Sequence, residues 1–177
     1  DLLLYASKSG SSNFALGVDY ELAKVSAPLF RIGSTGAGDL SISGLLDQLD
    51  SAVTTLSLKS GGTISQTQPI VRSSSVLALA AEALGSVTLN NGANKVDTVA
   101  GSGSDFVFSS SKAISVDTLD GIPGITASAR VALATSGGGI TQTATGLITA
   151  PSLAVTAEYD GVGDIKLDKS NVVGTLA

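Results

Sequence analysis

The sequence predicts an all-β chain wound as a parallel β-helix, that is, a β-solenoid. Three observations carry that expectation. Short apolar-x-apolar pairs recur between breaks rich in Gly, Ser, Asn and Asp. A long block of the sequence repeats at a fixed offset. The core has only four Phe, three Tyr and no Trp to draw on, so Val, Ile, Leu and Ala must fill it, which suits a thin and regular interior.

The pairs come in order along the chain: Leu40-Ser41-Ile42, Leu56-Ser57-Leu58, Leu77-Ala78-Leu79, Val87-Thr88-Leu89 and Phe106-Val107-Phe108. They continue as Ile114-Ser115-Val116, Val131-Ala132-Leu133, Leu153-Ala154-Val155 and Ile165-Lys166-Leu167. A period of two places one face of a strand inside and the other outside. The pairs are short, which predicts strands of about three to five residues. Gly61-Gly62, Asn91-Gly92, Gly101-Ser102-Gly103 and Gly137-Gly138-Gly139 supply the corners. Two stretches compete with this pattern. Gly44 to Thr55 spaces Leu45, Leu46 and Leu49 as a short helical turn or a loop would, and Ser75 to Leu84 is rich in helix formers. The repeat assigns the second stretch to strand followed by turn.

Ile64-Ser65-Gln66-Thr67 matches Ile140-Thr141-Gln142-Thr143, an offset of 76 residues. Leu77-Ala78-Leu79 then pairs with Leu153-Ala154-Val155, and Asn94 with Asn171 after small gaps. A repeat of short strands with glycine corners is economically satisfied by a solenoid, each coil laid parallel on the one below. At about 20 residues per coil the chain holds about eight or nine coils, roughly 40 Å at the strand spacing. A β-sandwich is the rival architecture. Asn94 and Asn171 are expected at structural corners, with αL backbone or side-chain bonds to nearby backbone. Gln66 and Gln142 are expected at a turn or on the outer face.

The 177 residues form one domain, 1–177. With no Met, the sequence reads as a piece of a longer repeat chain or a processed product. The absence of His and Cys excludes zinc fingers, Ser-His-Asp and Cys-His catalysis, and disulfides. The net charge is -5 and the ten Lys and Arg are dispersed, which argues against nucleic acid as a partner. No stretch is long and apolar enough to span a membrane, so membrane insertion is not expected.

The phrases GGTISQT and GGGITQT, ANKVDTVAG and SNVVGTLA, and SAPLFRIGSTGAGDLSISG resemble the β-helix repeats of filamentous haemagglutinin-type exoproteins, large adhesins of two-partner secretion. The resemblance runs from about Glu21 to Ala177. It implies a right-handed parallel β-helix that serves as a structural and adhesive shaft on the bacterial cell surface. It implies secretion through an outer-membrane transporter and a host-surface protein or glycan as partner. It carries no catalytic residues and no cofactor.

Two other function classes stay open. Parallel β-helices host carbohydrate-active enzymes, whose chemistry needs converging carboxylates. Asp105, Asp117 and Asp120, with Asp97, are the candidates, although Asp117-Thr118-Leu119-Asp120-Gly121 also reads as an ordinary turn. Asp160, Asp164 and Asp168 recur at intervals of four and invite calcium, but solvated strand ends explain them and the loop spacing of known calcium motifs is missing. Gly33 to Gly38 lacks the ending of a phosphate loop and leads into a strand. Outward Ser and Thr offer a wet face for glycans, and Tyr5, Tyr20 and Tyr159 are too few for a sugar-stacking platform. The sequence therefore assigns no catalytic, cofactor or metal residue. The third class is a self-assembling extracellular filament, with end-to-end self-association at open strand edges.

Overall fold

The computed structural model describes residues 2–4, 14–16, 26–44, 46, 49–72, 76–158 and 163–177. They form strands and turns, with no helix among them. In chain order the strands are β1 (Leu2–Leu4), β2 (Phe14–Leu16), β3 (Leu29–Ser34), β4 (Leu40–Ile42), β5 (Thr55–Ser60) and β6 (Ile64–Gln66). Then come β7 (Ala78–Ala83), β8 (Val87–Leu89), β9 (Thr98–Ser110), β10 (Ile114–Val116), β11 (Thr118–Leu119) and β12 (Ile122–Pro123). The last are β13 (Ile125–Thr135), β14 (Ile140–Gln142), β15 (Ile148–Ala157), β16 (Ile165–Lys166) and β17 (Val172–Leu176).

Among these strands, only β11 and β12 pair antiparallel. All other pairs are parallel, which rules out the sandwich. Parallel strands need a crossover between them, and with no helix to supply it the chain must wind. Each turn therefore lands on the previous one and builds columns of side chains. One column runs Leu40, Ile64, Val87, Phe106, Val131, Leu153, Leu176, with the backbone of Phe14 in register beneath Leu40. A second runs Phe30, Leu56, Leu79, Val99, Val116, and a third Ile32, Leu58, Ala81, Gly101, Ile125, Ile148. From Phe30 to Ile148 the side chains of these columns are fully or almost fully buried, and together they make one continuous core.

Among the described residues the solenoid has about six turns, fewer than the eight or nine expected. Steps along the first column run from 19 residues (Val87 to Phe106) to 26 (Phe14 to Leu40), so most turns are longer than the assumed 20. Strand length also departs from expectation. Most strands have three or six residues, but β9, β13 and β15 have 13, 11 and 10, because they carry one hydrogen-bonded run across what are two separate strands in the lower turns.

The aromatic pair shows how so narrow a core is filled. Phe106 and Phe108 are both completely buried. The neighbouring column shrinks to make room, from Leu58 through Ala81 to Gly101. A Cβ on Gly101 would run into the Phe106 ring and the Ala81 carbonyl. Glycine at this position is a packing requirement.

Ser75–Leu84 follows the repeat and not helix propensity, since β7 occupies Ala78–Ala83. Within Gly44–Thr55, a turn lies at Ser51–Ala52, capped by Asp50, whose Oδ1 accepts the Ala52 N–H at 2.8 Å. Leu45 lies outside the described residues.

The 76-residue offset is not a whole number of turns. Ile64 lies in the column of Val131, three turns and 67 residues later, whereas Ile140 stacks on Ile114 and beneath Ile165. The repeated motif is therefore set down one strand position further around the coil. What the two copies preserve is a local device. Gln66 and Asn94 exchange side-chain amide bonds in both directions at 2.9 Å, and Gln142 and Asn171 do the same at 2.7 and 3.0 Å. Each Asn Oδ1 also accepts a backbone N–H at 2.8 Å, from Ile70 and Ile148 respectively. The glutamines are thus half-buried corner partners and not outward side chains. Neither Asn has αL backbone, because Asp120 is the only described non-glycine residue with positive φ. The corners are held by side-chain hydrogen bonds, to each other and to backbone, without left-handed geometry.

Candidate functional site

The most elaborate local structure is the hairpin β11–β12, inserted between the last residue of β10 and the first of β13. Val116 sits over Val99 and Ile125 over Gly101, so the hairpin leaves the coil where a residue above Ala100 would stand. Its two-residue loop is Asp120-Gly121, with φ of +50° and +80°. Positive φ at both central residues is what a type I′ hairpin turn demands, and Asp-Gly supplies it at low cost.

The hairpin folds back over the outside of the turns below. The outward positions beneath it, read up the column, are Arg31, Ser57, Ala80 and Ala100. Ala80 and Ala100 are completely buried against Ile122 and Leu119, a small apolar cluster separate from the main core. Further down the column, Asp120 receives hydrogen bonds from Arg31 Nε at 2.9 and 3.0 Å, from Arg31 Nη2 at 2.6 Å and from Ser57 Oγ at 2.6 Å. Its side chain is 4% exposed and that of Arg31 28%. The Arg31 hydrogen bonds hold the Asp120 carboxyl below its ordinary value. Burial works the other way, and Ser57 and the charges of Arg31 and Lys59 add to the lowering. Small outward residues and one basic side chain thus receive an acidic hairpin tip.

The other candidate carboxylates are placed separately. At Asp117 burial pushes the carboxyl up, but hydrogen bonds from the Thr143 and Thr145 hydroxyls and the Thr118 N–H outweigh it and leave it lowered. Asp97 binds Lys112 and caps the Leu77 N–H at 3.0 Å. Asp105 faces Arg130 at 3.7 Å. Each of the four thus has its own structural partners. Asp164 pairs with Lys166 at 3.4 Å and Asp168 with Lys169 at 2.7 Å, while Asp160 lies outside the described residues, as do Tyr5, Tyr20 and Tyr159. Among the described residues no cluster of three metal-ligating side chains exists. A shallow groove of about 340 Å³ is lined by Asp97, Ser115, Thr141, Asp164 and Lys166, charges of both signs. No described helix is long and apolar enough to cross a membrane.

A second feature lies in the last described strands. Ile165, Leu167, Val173 and Leu176 line an open apolar recess of about 570 Å³ with Leu153 and Val155. Leu153 is 3% exposed, as its inward position predicts, but Ile165 is 46% and Leu176 72% exposed. The inward register is kept while the dryness is lost.

No protein-family model, curated protein or solved structure matches this chain.

Sequence reasoning located the Asp-Gly turn but missed what it touches. The signal was present: Ala80 and Ala100 stand at outward positions where a soluble strand normally carries a polar group, and Leu119 and Ile122 flank the turn.

Proposed function

We propose that this chain is a structural and adhesive shaft segment of a secreted bacterial surface protein of the filamentous haemagglutinin type. The observation that supports it best is the unbroken column from Leu40 to Leu153, a dry axial core buried through successive turns. Such a stack resists bending because every turn is hydrogen-bonded to two others. Its outward row beside that column, Ser41, Ser65, Thr88, Val107, Ala132 and Ala154, is built of small side chains. In this reading the chain is non-catalytic, its parent passes an outer-membrane transporter, and a host-surface protein or glycan is its partner.

Three measurements test the proposal. Aligned specimens are expected to give a meridional reflection near about 4.8 Å, the strand spacing along a rod. Antibodies against the segment are expected to label intact cells. A glycan array is expected to show binding without turnover. Release of reducing ends that disappears in an Asp117→Asn, Asp120→Asn double variant would replace the shaft with an enzyme, and cytoplasmic retention would remove the surface assignment.

A further inference from the structure

Asn91-Gly92 is the single Asn-Gly step in the chain, and it stands in the corner between β8 and β9. An asparagine followed by glycine can be converted by its own backbone. The glycine nitrogen attacks the side-chain carbonyl carbon and gives up its proton to water, and the Cγ–Nδ2 bond breaks to release ammonia. Water then opens the five-membered imide that results. Cleavage on one side gives aspartate. Cleavage on the other gives isoaspartate, in which the main chain runs through Cβ and Cγ. Both products carry a new carboxylate.

A fold blocks this chemistry when it holds the nucleophile and the leaving group in hydrogen bonds and packing. Here neither is held. The Gly92 N–H and Asn91 Nδ2 have no hydrogen-bond partner among the described residues. Gly92 is exposed, and a Cβ built on it would meet nothing within 4 Å. Asn91 Oδ1 accepts the Ala93 N–H at 3.0 Å, which folds the side chain back over the Gly92 peptide and polarises the carbonyl to be attacked. Comparable sites are guarded. Asn94 and Asn171 precede Lys95 and Val172, and Gln66 and Gln142 bind their side-chain amides. At Asp120-Gly121 the carboxylate is a poor electrophile and is bound by Arg31 and Ser57.

We infer that Asn91 is a self-modification site, an imide-forming asparagine that is converted with water to isoaspartate and aspartate and marks this corner as the protein ages. The consequence follows from its position. Asn91 O accepts the Asn94 N–H at 3.1 Å, and the Asn91 N–H reaches Gln66 Oε1 at 3.4 Å. Isoaspartate lengthens the main chain inside that turn. Asn94 is completely buried, and its Nδ2 binds the Leu89 and Ser109 carbonyls at 3.1 and 2.9 Å, so the lengthened turn disturbs the side chain that joins β8 to β9. The site goes beyond the shaft reading and needs nothing from it.

The backbone supplies a clean control. Gly92 does not have positive φ, so Gly92→Ala keeps the turn and the open surroundings. Wild-type chain held at mildly alkaline pH is expected to release ammonia and to become a substrate for an isoaspartate-specific carboxyl methyltransferase, with peptide mapping placing the label at Asn91. Gly92→Ala is expected to react at least about tenfold more slowly with its melting temperature unchanged. Hydrogen exchange in the modified fraction is expected to rise at Asn94 and at Ser111, whose N–H binds Asn94 O at 2.8 Å. Equal rates in the two proteins would overturn the inference. So would an Asn91 that stays intact in the folded chain over a period in which the urea-unfolded chain is converted, a comparison that needs no variant.

Discussion

Replacing Asp120 by Asn removes one negative charge and little else. Asn tolerates left-handed backbone as Asp does, so the Asp120-Gly121 turn keeps its shape. What changes is the acceptor for Arg31 and Ser57. A wholly exposed ion pair contributes about 0–1 kcal/mol, and breaking a wholly buried one costs about 3–5 kcal/mol. Here the carboxylate is 4% exposed and the guanidinium 28%, so Arg31 regains part of its hydration. The expected loss is about 1.5–3 kcal/mol, the range for a hydrogen bond to a charged group. Urea denaturation of both proteins at neutral pH measures it, and hydrogen exchange over residues 117–124 localises it. The pH dependence fixes its origin. The folded carboxyl lies below the unfolded value of 3.8, so the stabilisation is complete above that value and fades as pH falls through the folded one. Wild type and variant should therefore converge in acid. A difference below about 0.5 kcal/mol at neutral pH, within the range of an ordinary surface change, would refute the role of the β11–β12 hairpin as a strap across the lower turns, and so would a difference that persists unchanged in strong acid.

Other substitutions probe the core and its end. Gly101→Val is expected to cost about 3 kcal/mol or more in a urea melt, because the added methyls meet the Phe106 ring. Leu153→Asp should cost at least about 3 kcal/mol as an uncompensated charge in a dry stack, while Ile165→Asp, already half exposed, should stay within about 1 kcal/mol. Equal effects at the two positions would contradict their difference in burial. Asn94→Ala should destabilise by about 3 kcal/mol or more through several orphaned polar groups, and Asn171→Ala by less, again read from denaturation midpoints. Arg72 is 5% exposed and donates Nη2 to the Asp50 carbonyl at 3.0 Å, while its Nε and Nη1 find no partner among the described residues. Arg72→Met is expected to raise the melting temperature by a few degrees, and a fall would show that the charge is needed.

The winding was legible because it depends on local features. Alternation, glycine corners and an aliphatic core each act within a few residues, and each survived folding in β5 through β8 largely as written. The phase of the winding was not legible. Matching Ile64 to Ile140 is sound as a comparison of corners, since Gln66–Asn94 and Gln142–Asn171 are the same device. It fails as a comparison of columns, because the number of residues per turn varies and only the completed stack decides which residue lies above which. The strap was hidden for a related reason. Arg31 and Asp120 are 89 residues apart, and nothing local to either names the other. The carboxylates were visible as residues, but their separation into unrelated partnerships is a property of the wound chain.

The strap also sets how the molecule would answer a pull along its axis. A plain solenoid can peel from an end, one winding at a time, each yielding under a modest load. A hairpin tip rooted in the winding of β13 yet anchored to Arg31 and Ser57 several windings lower joins those windings into one mechanical block. Tension from the amino-terminal side would meet a tether that must rupture before the links beneath it unspool in turn. Extension traces should then show a single large jump where an unstrapped coil would give a staircase.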